Sequence, residues 1–328
     1  MLALSCATAH NAIAETLRIA TFNAELTRKG PGLLLRDILK GKDPQIAAFM
    51  ALLQEIRPDV IALQAIDYDL RGTALEALVD HLAASGLSYP YHFTAAPNAG
   101  QVSGLDLNGN GTQGDADDAH GYGRFFGNGG MAVLSRFPIQ SEAIEDYSST
   151  LWRDLPNNIY PMQDGAPFAG AEVHAAHRLS SRNHWVVPIT TSGGMPLRLM
   201  TFYATPPIYD GEEDRNGRRN HDEIAFWSDY LARNPAPSPF VLMGTANIDP
   251  ARGNGRAEGI NALLSHPNLQ NPFDDSPTAD FRDPKPGDLR VDYLLPSVGW
   301  RVLDHGLVTA PDASRHSLLW VDITPLDP

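Results

Sequence analysis

Cysteine is nearly absent from this chain. Only Cys6 carries a thiol among 328 residues. It lies in a short apolar N-terminal stretch, so a chain processed behind that stretch has neither disulfides nor thiol chemistry. Ala3-Leu4-Ser5 is a poor match to a lipobox, which argues against Cys6 as a lipid anchor. Long apolar runs are missing too. None approaches the roughly 18–20 residues that cross a bilayer, so no membrane span is expected. Positive charge is scarce: 25 Lys and Arg stand against 39 Asp and Glu, a net charge of −14. A long polyanion such as duplex nucleic acid is repelled by that field and is not the favoured partner, although a local basic groove can override it. Internal repeats and Ser/Gly linkers are also lacking. What remains is 43% hydrophobic and 20% charged, the balance of a globular protein with ample material for one core.

Residues 1–14 read as a signal segment. Met1 to His10 is small and apolar, and Ala12-Ile13-Ala14 before Glu15 is an Ala-x-Ala cleavage pattern. A basic start is missing, so the expectation is a truncated leader and an exported protein. A plain N-terminal tail is the alternative. Residues 15–328 then form a single domain, expected to be monomeric.

Along that domain strands and helices alternate. Leu17 to Asn23 alternates like a strand ending at Asn23. Asp43 and Pro44 open a helix with Ile46, Phe49, Leu53 and Ile56 on one face, and Pro58 stops it. Val60 to Gln64 is a buried strand. Thr73 with Glu76 predicts a capping box for a second helix, ending at Gly86. Met131 to Ser135 is a strand, and residues 145–177 read as an irregular surface excursion. Trp185 to Ile189 and Leu197 to Tyr203 form a hairpin across Gly193-Gly194. Asn220 with Glu223 caps a further helix. The apolar run Phe240 to Met243 breaks at Gly244 and sets out Thr245-Ala246-Asn247 at a strand end. A short helix near Gly259–Leu264 and strands at Leu289–Leu295 and Leu318–Ile323 complete the chain. This order predicts an α/β domain. Ligand-handling side chains of such sheets collect at strand ends. Here Thr245 and Asn247, two apart on an extended chain, are set out at one such rim.

Seven segments carry a family resemblance in the right order: Thr21-Phe22-Asn23, Arg57 to Gln64, Gly130 to Arg136, Thr201-Phe202-Tyr203, Gly244 to Asn247, Arg290 to Tyr293, and Ser314-Arg315-His316. Together they resemble the endonuclease/exonuclease/phosphatase superfamily of metal-dependent phosphoesterases. The resemblance implies a four-layer sandwich: two mixed β-sheets face to face, flanked by helices. It implies a site built from Asn23, Tyr203, Asn247, Asp292 and His316, with Asp292 orienting the catalytic His316. It also implies Mg²⁺ or Mn²⁺ as cofactor.

Three positions depart from the family pattern. Ala65 stands where the metal-binding Glu is expected, Thr245 where the water-handling Asp is expected, and Arg315 where an Asp precedes the His. Mg²⁺ requires carboxylate and water oxygens in near-octahedral geometry, and these changes remove them. A threonine hydroxyl is not a general base near neutral pH. Arg315 offers phosphate a guanidinium instead of a metal ion.

The leading expectation is therefore a protein that binds a phosphate ester through Asn23, Asn247, Arg315 and His316, with metal-dependent hydrolysis weak or lost. An active phosphodiesterase or nuclease using a substitute acid, with Asp67 the candidate, is the second reading. A calcium-stabilised interaction protein with an inert site is the third. Each residue also has a plain reading: Asn23 and Asn247 as strand-end turns, Asp292–His316 as a structural hydrogen bond, Tyr203 as a sheet tyrosine, Arg315 as a solvated side chain.

Two loops carry further signals. Asp106, Asn108, Asn110, Thr112 and Asp117 follow the spacing of an EF-hand-type calcium loop, with Gly111 at the turn. A flexible Asn/Gly turn is the alternative. Gly211 to Glu223 resembles an insertion of an exported bacterial branch, and Arg218 and Arg219 before a helix could meet an anion, or simply belong to a self-neutralising loop.

Overall fold

In a computed structural model of the chain, residues 16–234, 239–282 and 286–326 are described. The expected signal segment, residues 1–14, lies outside them.

Two sheets form the centre. The first contains β1 (Leu17–Leu26), β2 (Val60–Ile66), β3 (Tyr91–Phe93), β4 (Gly130–Ser135), β10 (Trp300–Thr309) and β11 (Ser317–Pro325), in the order β10-β11-β1-β2-β4-β3. The second contains β5 (Glu145–Asp146), β6 (His184–Thr190), β7 (Pro196–Tyr203), β8 (Phe240–Thr245) and β9 (Asp292–Pro296), in the order β9-β8-β7-β6-β5. Each sheet has one internal parallel pair, β1–β2 and β7–β8, with antiparallel neighbours. Both sheets are therefore mixed, as the sequence predicts.

The period-two alternation of each strand divides its side chains between two cores. From the first sheet Ile19, Val60, Ala62, Met131 and Val133 meet Trp185, Val187, Leu199, Val241 and Met243 of the second. Their neighbours Phe22, Ile61, Leu63 and Leu134 face outward onto α1 (Leu33–Lys40), α2 (Pro44–Ile56) and α3 (Thr73–Ala84). Met200, Phe202, Phe240 and Leu242 face α5 (Arg215–Arg233) and α6 (Glu258–Leu264) on the other side. Both faces of each sheet are covered, which is why the central strands read as unbroken apolar runs. The result is the four-layer sandwich.

Local details refine the sequence reading. Asp43 does cap α2, accepting a hydrogen bond from Ile46 N at 3.0 Å. The cap of α3 is Asp69, which accepts from Thr73 N at 2.6 Å and Ala74 N at 2.9 Å, and Thr73 and Glu76 form no box. The helix expected to begin at Asn220 starts at Arg215, because Asp210 accepts from Asn216 N and Gly217 N. Asn220 is turned inward and ties the Thr205 and Ala246 carbonyls together. The 145–177 segment is no surface excursion: it holds the short helix α4 (Ala171–Ala176) and inserts Trp152, fully buried, whose Nε1 donates to Asp222 at 2.6 Å. β1 continues past Asn23 to Leu26 through a register shift.

Candidate functional site

The site lies where the carboxyl ends of β1, β7 and β8 meet the β10–β11 side of the sandwich. Asn23, buried at the end of the regular part of β1, donates from Nδ2 to Thr245 Oγ1 at 3.2 Å. This bond joins the two sheets. Thr245 in turn donates to Asp292 Oδ1 at 2.6 Å. Asp292 Oδ2 accepts from Thr278 Oγ1 at 2.9 Å and meets His316 Nδ1 at 2.7 Å. Four polar residues from four segments thus form one buried line, Asn23–Thr245–Asp292–His316. With Nδ1 engaged, Nε2 is the imidazole nitrogen left for a ligand. Phe281 fixes the ring further through an edge contact at 5.5 Å.

Asn247 stands at φ 55° beyond β8, and its Nδ2 donates to Ala204 O at 2.9 Å. Asparagine tolerates this left-handed backbone better than most residues. Tyr203 closes β7 and lies against Arg182, whose Cζ is 5.4 Å from the ring centre. Burial raises the Tyr203 hydroxyl above its ordinary pKa, against the pull of Arg182 and of a hydrogen bond with Asn23.

Ala65 falls at a bulge in β2, where pairing with both β1 and β4 slips, and its φ is 54°. A Cβ placed on neighbouring Gly129 would lie 4.0 Å from both Ala65 Cα and Arg182 Nε. Ala65 and the Arg182 guanidinium thus both border Gly129. Asp67 borders the same glycine, and both of its oxygens are already engaged. Its oxygens accept from Arg28 N at 2.7 Å, Gly129 N at 2.9 Å and Asn128 Nδ2 at 3.1 Å, tying two loops together. These three bonds give Asp67 a structural role in joining the loops.

The carboxylate beside His316 is one the sequence did not point to. Glu25, turned by a left-handed backbone at φ 48°, accepts from Arg315 N at 2.9 Å, Arg315 Nε at 2.9 Å and Ser314 Oγ at 3.1 Å. Burial pushes its carboxyl up, but the Arg315 side-chain and backbone hydrogen bonds outweigh this and hold it below its ordinary range. Arg315 is thus half of a neutral pair, not an isolated cation. Its side chain is 53% exposed and leans over Phe281, leaving its outer edge accessible.

For Mg²⁺ or Mn²⁺ the donor set does not fit. Asp292 is taken by Thr245, Thr278 and His316, and Glu25 by Arg315 and Ser314. Among the described residues no group of three or more His, Cys, Asp or Glu side chains is arranged to hold an ion.

In the 106–118 loop, Asp106 accepts from Asn110 N and Gly111 N, Asn108 from Asn110 N, and Asn110 from Thr112 N. Asp117 turns toward Arg215, 3.8 Å away, while buried Asp118 accepts from Leu107 N and Gly114 N and closes the loop. Arg218 and Arg219 lie within α5, not before it. Arg219 donates to the backbone carbonyls of Arg178, Leu179, Ser180 and His120, so its donors are not free for an anion.

The architecture is shared with solved structures. An endonuclease/exonuclease/phosphatase from Beutenbergia cavernae DSM 12333 matches at TM-score 0.60 and 18% identity, over 94% of this chain and 72% of that one. Sphingomyelinase C from Streptomyces griseocarneus matches at TM-score 0.52 and 16% identity, over 94% and 99%. The human Nocturnin catalytic domain with bound sulfate matches at TM-score 0.53 and 14% identity, over 95% and 94%. At such identities the likeness is one of fold. No curated protein sequence matches the chain. Residues 20–316 match the sequence model of the Endonuclease/Exonuclease/phosphatase family, and with the fold and the ordered strand-end residues in agreement, the chain belongs to that family.

Proposed function

We propose that the chain binds a phosphate ester at the rim formed by Asn23, Tyr203, Asn247, Arg315 and His316, and that metal-dependent hydrolysis there is weak or lost. The observation that carries this reading is the hydroxyl of Thr245 at the centre of the buried line, between Asn23 and Asp292. A hydroxyl cannot take a proton from water near neutral pH, and this one already donates to Asp292. The same arrangement suits binding. Asp292 holds the ring of His316 through Nδ1, which leaves Nε2 for the ligand. The outer edge of Arg315 supplies a charge-assisted donor, tempered by Glu25.

The test is an activity panel with bis(4-nitrophenyl) phosphate, DNA and phospholipid in Mg²⁺, Mn²⁺ or Ca²⁺, against a chelated control, alongside phosphate titration by calorimetry. Binding without turnover supports the reading. Strong turnover dependent on a metal contradicts it.

Two accompanying proposals rest on sequence. The 106–118 loop takes a calcium ion of structural use, with Asp106, Asn108, Asn110, Thr112 and Asp117 as ligands. Residues 1–14 direct export, so that N-terminal sequencing of mature protein begins near Glu15; unprocessed protein found only in the cytoplasm contradicts it.

A further inference from the structure

Beside the rim is a cavity of about 380 Å³ whose lining includes Tyr122, Arg182, Tyr209, Arg215 and Arg219. Three guanidinium groups thus converge in a protein of net charge −14. Their donors are unequally used. Arg219 is spent on backbone carbonyls, as described. Arg215 gives one bond to Leu107 O at 2.8 Å and faces Asp117 across 3.8 Å. Arg182 donates from Nη1 to Ser181 O at 3.0 Å, yet its Nε is buried without a partner.

A buried, permanently charged donor left unpaired is unfavourable, and such orphans are uncommon unless water or a ligand completes them. The cavity is also built for more than a bare ion. Tyr122 and Tyr209 are 48% and 79% exposed at its edge, and Tyr209 is held at φ 68°, a conformation disfavoured for an aromatic residue. Exposed aromatic faces beside guanidinium groups suit a ligand with a flat or apolar body and an anionic end.

We propose that this cavity is a second anion subsite. It takes the phosphate, sulfate or carboxylate of a small ligand at Arg182 and Arg215, with the ligand's aromatic or apolar body against Tyr122 and Tyr209. The subsite stands on its own residues, because none of them is His316 or Arg315. It also adjoins the rim: Arg182 covers the Tyr203 ring, and Arg315 is within electrostatic reach of both Tyr203 and Tyr209. A ligand with two anionic groups can therefore bridge the two.

Calorimetry on the full chain with chelator, using phenyl phosphate and inorganic phosphate, tests this. The wild type binds phenyl phosphate about fivefold or more tighter than inorganic phosphate. Arg182→Gln weakens phenyl phosphate about tenfold, Arg182→Lys recovers part of it, and Tyr209→Ala removes the preference for the aryl compound. The proposal is overturned if Arg182→Gln and Tyr209→Ala bind both probes as the wild type does. Should Arg182→Gln fail to fold, the exposed Tyr209→Ala decides, and a retained aryl preference overturns the subsite. Binding lost only in Arg315→Ala and His316→Ala refutes the subsite and leaves the rim intact. Binding lost only in the Arg182 and Tyr209 variants refutes the rim and leaves the subsite standing.

Discussion

Glu25 holds Arg315 at three points: through its backbone N–H, its Nε and its Nη2, the last at 2.5 Å. The positive charge that replaces a family carboxylate thus arrives with its own counter-charge from β1. Phosphate at the rim competes with Glu25 for the guanidinium. Glu25→Gln is expected to strengthen phosphate binding by removing a repelling charge. Arg315→Ala is expected to weaken it by about 1.5 kcal/mol, the low end for a charge-assisted bond, because the group is half exposed and already paired. The Glu25 carboxyl is held below its ordinary value. The pair's contribution to stability is therefore present above that ordinary value and lost as pH falls through the lowered one. Stability measured for wild type and Glu25→Gln across pH 3 to 7 should converge only in acid.

Thr245→Asp alone should destabilise the fold. It removes a donor 2.6 Å from Asp292 and sets a second carboxylate there. Two carboxylates in contact cannot both ionise freely, so the loss, about 1.5–3 kcal/mol for a bond to a charged group, should shrink as pH is lowered. Chemical denaturation at pH 7 and pH 5 reads this. An equal loss at both, or none, contradicts the geometry. Adding Ala65→Glu and Arg315→Asp should give a variant that binds Mg²⁺ or Mn²⁺ by calorimetry where the wild type does not.

Asp67→Ala should cost stability, on the order of 3 kcal/mol for a buried carboxylate serving three donors, and leave phosphate affinity unchanged. Were Asp67 a substitute catalytic acid, the variant would instead keep its stability and lose activity.

Calcium should raise the melting temperature at millimolar concentrations, the range of extracellular modules, since Asp is a shorter ligand than Glu at the closing position. Asp106→Ala with Asp117→Ala should remove the shift. Because Asp118 closes the loop by hydrogen bonds to Leu107 N and Gly114 N, Asp118→Ala should loosen it with or without calcium. An equal calcium shift in the wild type and the double variant contradicts the proposal.

Sequence patterning disclosed most of the frame because both sheets are covered on both faces. Val60 to Ile66 and Phe240 to Thr245 are strands with every residue buried, and such runs announce themselves. The Asp43 cap was legible because its partner is three residues away. Caps from a distance were not: Asp210 reaches Asn216 and Gly217, and Asp69 outcompetes the nearer Thr73–Glu76 pair. The strand Trp300–Thr309 was hidden because exposed polar residues interrupt its alternation, Arg301, Asp304 and His305 among them. At the site, Asp292 and His316 were readable from their resemblance to family motifs, but Glu25 and Arg182 were not. Glu25 reaches Arg315 across 290 positions through a positive-φ turn, and an isolated Arg before a strand carries no local signal.

Phosphate binding in chelator, followed by calorimetry on the wild type and on His316→Ala, tests the central claim most directly. The ring of His316 is held through Nδ1 by Asp292 at 2.7 Å, so the wild type should bind phosphate with no divalent ion present and His316→Ala should bind it more weakly. Absence of phosphate binding in chelator, or an affinity unchanged in His316→Ala, would contradict the account.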